Sequence, residues 1–354
     1  MNKKKILCFC LALGAFSAMM AQETLSLSQC LQMAVDNNLS LQKSRNEIAK
    51  GKYSISENQA KLLPQINAVA QLNDNFTPPV SVTDGSAYGK PYNVTKTLQY
   101  NASAGLQLQM PLYNQMVNTA IDIAKIADHL NQLSYEKARE DLIVQTAKMY
   151  YMAQNTAEQI RLVNDNIKRL EELYGITQAF YDNQMSLEVD VKRVKLNIEN
   201  LTVQRDNAIA MLDQQYTMLK YVIDYPADKQ IKVTEVNPGE IETVNANGLN
   251  TNLYELQLLE KRKELAQKQI KLAKDGYLPS VSLTGSLMYS AFTDKIEHWI
   301  HSGESNHWYG SNGIGIQLRV PVFDGFEKRS KIRRAKMEEE NARIGYEDAL
   351  KGMQ

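Results

Sequence analysis

Between Gln65 and Asn73 the residue types alternate. Ile66, Ala68, Ala70 and Leu72 fall on one side, and Gln65, Asn67, Gln71 and Asn73 on the other, with Val69 the exception. A period of two with one apolar and one polar face predicts a strand over 65–73. The pattern returns over 101–110, where Ala102, Ala104, Leu106, Leu108 and Met110 oppose Asn101, Ser103, Gly105, Gln107 and Gln109. It returns again over 280–289, with Val281, Leu283, Leu287 and Tyr289 against Ser280, Ser282, Thr284 and Ser286. A fourth strand is predicted over 312–320, with Ile314, Ile316, Leu318 and Val320 against Gly313, Gly315, Gln317 and Arg319.

Elsewhere the period is helical. Residues 28–62 read as a helix that Ser28 can cap, and Pro64 ends it. From Met116 to about Phe180 there is no proline, and one stripe reads Met149, Ala153, Ala157, Ile160, Val163, Ile167, Leu170, Tyr174. Steps of three and four are those of a coiled-coil seam. At 1.5 Å per residue, ~65 residues span roughly 97 Å, far more than a compact domain needs. The stretch "FYDNQMSLEVDV" interrupts the pattern, and Asn183 suits a tight left-handed reversal there. A second seam follows through Leu187, Val191, Val194, Ile198, Leu201, Arg205, Ala208 and Leu212. Residues 115–222 are thus expected to form one long helical hairpin.

The plan occurs twice. "GLQLQMPLYN" from Gly105 and "GIQLRVPVFD" from Gly315 match in register, 210 positions apart. Pro111 and Pro321 each remove a ladder donor and end a strand. Asn114 and Asp324 can then cap the helices that follow, with Glu327 completing a capping box. Such a long period marks a duplicated half-molecule and not a short solenoid repeat. The boundaries are a first repeat over 22–225, a linker over 226–248 and a second repeat over 249–354.

The first 21 residues read as a secretory leader, with Lys3, Lys4 and Lys5 before an apolar run from Ile6 to Phe16. That run is too short to span a bilayer as a helix, a test that a β-barrel escapes. Removing the leader takes Cys8 and Cys10 with it, so Cys30 stands alone and an internal disulfide is excluded. Charge is balanced, with 40 Lys and Arg against 40 Asp and Glu. Nothing in it suggests nucleic acid, which calls for a concentrated basic surface.

Strands of about ten residues with small polar side chains on one face have the length and dyad pattern of outer-membrane barrel strands. Four strands cannot close a barrel, and open edges in lipid leave backbone groups unsatisfied. Several chains must then share one barrel. The faces assign Gln107, Gln109, Gln317 and Arg319 to the lumen. The reverse assignment would put Arg319 in lipid at roughly 2–4 kcal/mol. Aromatics gather at the strand ends, Tyr113, Phe323 and Phe326 at one and Tyr100, Tyr289 and Phe292 at the other, as in an interfacial belt.

With its two Leu-Pro strand starts (Leu63-Pro64, Leu278-Pro279), its exits "MPLYN" and "VPVFDG" and the "VDV" at Val189–Val191, the chain resembles the TolC family of outer-membrane efflux factors. The resemblance implies an α+β membrane protein with a duplicated helix-strand-strand-helix plan. Three chains would give a 12-stranded barrel in the outer membrane and a long α-helical coiled-coil barrel in the periplasm. It further implies a passive exit duct for drugs, metals or proteins, docked to a periplasmic adaptor and an inner-membrane pump, with no covalent chemistry and no cofactor. Adaptor contact falls at Asn183, Gln184, Met185, Ser186 and Leu187. The family glycine six residues before Asp190 is replaced here by Gln184, and Asn183 is expected to take over its backbone role. Measured against the first half, the second hairpin stops roughly 85 residues short, so the chain reads as C-terminally truncated. A periplasmic coiled-coil protein with a soluble strand cap, or a non-conducting remnant, is the alternative.

Two further motifs carry less. His298, His301 and His307 lie close together in "HWIHSGESNHWYG", in what reads as a solvated outer loop and not a metal site. "GSNGIG" runs into a strand instead of opening a helix, so its glycines serve the strand and not a phosphate.

Overall fold

The computed structural model describes residues 23–235, 253–295 and 308–352. The leader, the second half of the linker and the histidine loop (His298, His301, His307) lie outside these residues. Six α-helices and eight strands are described: β1 (Glu23–Leu25), α1 (Leu27–Asn37), α2 (Leu39–Ala60), β2 (Gln65–Asp74), β3 (Val80–Asp84), β4 (Tyr92–Lys96), β5 (Tyr100–Tyr113), α3 (Gln115–Asp182), α4 (Glu188–Ile223), β6 (Ile231–Val233), α5 (Tyr254–Asp275), β7 (Ser280–Thr293), β8 (Trp308–Arg319) and α6 (Glu327–Gly352). Among them, no helix is long and apolar enough to cross a membrane. The chain divides into two units, Met1–Glu47 with Ser134–Asn250, and Ile48–Leu133 with Thr251–Gln354.

In the first unit α1 begins with a capping box. Gln29 N–H donates to Ser26 Oγ at 3.3 Å, and Ser26 N–H donates to Gln29 Oε1 at 2.8 Å. Ser26, and not Ser28, is therefore the cap. The single helix expected over 28–62 breaks at Asn38, whose ψ of 120° leaves the helical region. Its Oδ1 accepts from the N–H groups of Ser40 and Leu41 and so starts α2. The linker expected from residue 226 also carries order: β6 pairs in parallel with β1, Leu25 opposite Val233. Leu25, Cys30, Ala34, Tyr150, Ala153, Leu219, Ile223, Ile231 and Val233 form the core here. Tyr150 lies at its centre, its hydroxyl donating to Leu25 O at 3.1 Å and accepting from Thr234 N–H at 3.1 Å. A buried hydroxyl left without such partners would cost about 1–3 kcal/mol.

The two seams read from the sequence are the packed stripes of α3 and α4. Ala153, Val163, Ile167, Val191 and Ala208 are buried, and the other seam positions half-buried, apart from Leu187 at the tip. The structure alters the reversal between the helices. Met185 N–H donates to Phe180 O and Gln184 N–H to Tyr181 O, both at 2.8 Å. That pair of bonds is a Schellman motif, whose left-handed position is normally glycine. Gln184 occupies it with φ 60°, and Asn183 is not the left-handed residue.

In the second unit β2, β5, β7 and β8 form one antiparallel sheet in that order. β2, β5 and β7 extend beyond their expected ends, whereas β8 begins earlier, at Trp308, expected in a loop, and stops at Arg319, one residue short. The turn-rich segment after β2 contains a hairpin of its own, β3 with β4.

Candidate functional site

The register resolves what each face of the sheet presents. Residues directly opposite one another on antiparallel strands share a face. The rows Gln65–Gln109–Thr284–Gly315 and Asn67–Gln107–Ser286–Gly313 lie on one face. The alternate rows, Ile66–Leu108–Gly285–Ile314 and Ala68–Leu106–Leu287–Asn312, lie on the other. Gln317 stands opposite Ser282 and Arg319 opposite Ser280. Gln107, Gln109, Gln317 and Arg319 therefore share one face, in the company of amides, hydroxyls and glycines. Asn67, Gln107, Gln109, Thr284, Ser286 and Gly313 line a shallow concavity there.

The opposite face is largely apolar and, apart from the buried Ala291 and Thr293 at the end of β7, mostly uncovered. Ile314 and Ile316 are 77% and 71% exposed, and Leu72, Leu106, Leu287 and Leu318 are exposed as well. An apolar surface of this kind, contiguous over four strands, marks contact with another apolar medium or chain. Among the described residues the sheet is also open: β2 and β8 each have a neighbour on one side alone.

Close packing within the sheet depends on glycine at one position. A Cβ on Gly105 would stand 2.1 Å from Leu287 O and 2.8 Å from Met288 Cα. Neither backbone atom can yield as the end of a flexible side chain would.

The strand-to-helix turns differ from each other. Pro111 does not end its strand. It stands opposite Ser282, and the pairing shifts by one before Tyr113 meets Val281. That bulge at Leu112 moves Tyr113 from the polar face, where strict alternation would put it, to the apolar face. Together with Tyr289, Tyr100 and Trp308 it gives the apolar face aromatics toward both ends, whereas Phe292, opposite Asn101, stands on the polar face. Asn114 Oδ1 accepts from Met116 N–H at 3.1 Å in the first turn of α3. Pro321 follows the end of β8. Asp324 Oδ2 accepts from Lys328 N–H at 3.0 Å and Oδ1 from Phe326 N–H at 3.2 Å. The Lys328 N–H holds the Asp324 carboxyl below the usual carboxylate range. The expected capping box is absent there, because Glu327 pairs forward with Lys331 at 2.6 Å.

At the hairpin tip, Asn183, Gln184, Met185, Ser186 and Leu187 occupy the turn between α3 and α4. Met185 and Leu187 are 73% and 69% exposed, so the tip presents apolar side chains to its surroundings. Sequence reasoning did not find the geometry of Gln184 or the displaced Tyr113. Pro111 was the signal for the second, since proline inside a ladder favours a bulge.

A split-faced, open four-stranded sheet joined to a long helical hairpin is the fold of outer-membrane channels. The structure of VceC from Vibrio cholerae superposes with a TM-score of 0.70 at 16% identity, over 92% of this chain and 75% of that one. The CmeC outer membrane channel of Campylobacter jejuni gives 0.69 at 18% identity, over 92% and 67%. In sequence, outer membrane protein TolC of Escherichia coli (strain K12) is 24% identical over 336 residues, 92% of this chain. The chain spans 64% of the length of that relative. The outer membrane efflux protein family matches residues 30–220 and 250–350. The chain belongs to this family, and it is an outer-membrane protein.

Proposed function

We propose that the protein is the outer-membrane exit duct of a tripartite efflux or type I secretion system. The observation that carries this reading is the division of one four-stranded sheet into a polar face and an exposed apolar face, with both edges open. In hydrocarbon such edges require partners. Three copies would supply twelve strands, within the range of bacterial barrels. The apolar face then meets lipid, and the polar face lines a water-filled passage.

Gln107, Gln109, Gln317 and Arg319 line that passage. Arg319 is the one charged side chain of the polar rows within the four strands, and it recurs once per copy. Conduction by such a duct is passive. Cargo is driven by the inner-membrane pump, joined through a periplasmic adaptor that meets the apolar tip at Asn183–Leu187. Drugs, metals or proteins are the cargo classes.

Single-channel recording in planar bilayers tests the assignment. The wild type is expected to conduct with a preference for anions, and Arg319→Glu to lose or reverse that preference at similar conductance. Unchanged ion preference in the variant removes Arg319 from the passage. Absence of any conductance by inserted protein contradicts the duct.

A further inference from the structure

The end of α5 and the start of α6 lie side by side where the chain enters β7 and leaves β8. Lys328 Nζ sits 5.4 Å from the ring centroid of Tyr277, and its Cδ lies 3.5 Å from where a Cβ on Gly276 would stand. Farther from the sheet, Gln267 Nε2 donates to Glu339 at 3.4 Å, and Lys263 Nζ lies 5.1 Å from the Tyr346 ring centroid. On its other side α5 meets α3 through Lys268 and Asp122 at 2.9 Å. These contacts fix which flank of each helix meets its neighbour.

Stepping about 100° per residue from those contacts separates the remaining flanks of α6. One holds Arg329, Arg333 and Lys336, the other Glu327, Lys331, Arg334 and Glu338. The second flank is neutral and internally paired, Lys331 with Glu327 at 2.6 Å and Arg334 with Glu338 at 3.5 Å. The first has no acidic residue until Glu340, which is engaged with Arg343 at 2.6 Å. Because α5 and α6 run in opposite directions, the same side of the pair also receives Lys271 and Lys274. All five of these cations are exposed. Among the described residues, none of them has an ion-pair partner.

The neighbouring turn gives this basic face its setting. Phe323 and Phe326 pack edge to face with ring centroids 5.7 Å apart, and with Val322 they are mostly exposed. Arg329 follows Phe326 by less than one helical turn, and Lys274 precedes Tyr277 by as much. Exposed aromatics mark the headgroup level of a bilayer, and clustered Lys and Arg just beyond it attract anionic lipid. We propose that Lys271, Lys274, Arg329, Arg333 and Lys336 form a docking surface for the anionic phospholipid headgroups of the periplasmic leaflet. This inference rests on the membrane reading of the sheet.

The test offers the full chain vesicles of phosphatidylethanolamine with and without phosphatidylglycerol, and counts retained lipid by native mass spectrometry. The wild type is expected to retain phosphatidylglycerol selectively at about 0.1 M salt and to lose it near 1 M, where screening is nearly complete. Arg329→Gln with Arg333→Gln should weaken that retention roughly tenfold. Lys331→Gln with Arg334→Gln makes the same change in net charge on the paired flank and should leave retention as in the wild type. Equal losses in the two double variants, or no selectivity in an inserted wild type, overturn the docking surface alone. A chain that enters neither kind of vesicle overturns the membrane reading together with it.

Discussion

Gln184 shows how one side chain can carry a backbone geometry that suits another residue better. Its φ of 60° is left-handed, a region that costs an L-residue roughly 1–2 kcal/mol and glycine almost nothing. Glycine also loses more chain entropy on folding, so Gln184→Gly should gain only about 0.5 kcal/mol. Gln184→Ile, β-branched and poorly tolerated at positive φ, should lose about 1 kcal/mol. Amide hydrogen exchange at the end of α3 would then rank protection as Gly above Gln above Ile. A flat or reversed order would contradict the geometry. The sequence marks this position only by the absence of the expected glycine. It suggests Asn183 as the substitute, because asparagine tolerates the left-handed region, yet the Schellman bonds select the residue one step later.

At the scale of elements, legibility followed the range of the interactions. The seams of α3 and α4 could be read almost residue by residue, since a heptad is written in local spacing, and apart from Leu187 the same residues turn out buried or half-buried. The strand faces were equally plain, since a period of two is local as well. Features set by distant partners were less so. β6 exists because β1 pairs with it, and nothing in Ile231–Val233 announces a three-residue parallel strand. The bulge at Leu112 depends on β7, and Asn38, where the first helix breaks, donates its side-chain amide to the distant Val222 carbonyl at 3.0 Å. Gly105 carries an element-scale prediction. A methyl group there meets Leu287 O and Met288 Cα on β7, so Gly105→Ala should force β5 and β7 apart locally. The expected cost is about 1–3 kcal/mol, the usual range for an inserted group in a close-packed setting. A lowered melting temperature of the β-signal in circular dichroism would register it. Gly285→Ala serves as the comparison: its Cβ would meet Leu108 at an ordinary 3.4 Å, so its effect should be smaller. Similar melting for the two variants would show that the close approach at Gly105 is not a constraint.

For the molecule as a whole, a single sheet has to reconcile two solvents. Its polar rows want water, its apolar rows want hydrocarbon, and its edge strands want hydrogen-bond partners that none of the described strands provides. Burying the apolar face within one soluble chain would need a covering layer, and the exposed Ile314, Ile316 and Leu318 have none among the described residues. Sealing β2 of one copy against β8 of the next satisfies all three demands at once. It also keeps the antiparallel alternation, since β2 and β8 run in opposite directions. The most direct measurement is the mass of the protein extracted from outer membranes in mild detergent, by native mass spectrometry. Three copies per particle is the predicted result. A single copy, soluble without detergent and with its strands intact, would contradict the account.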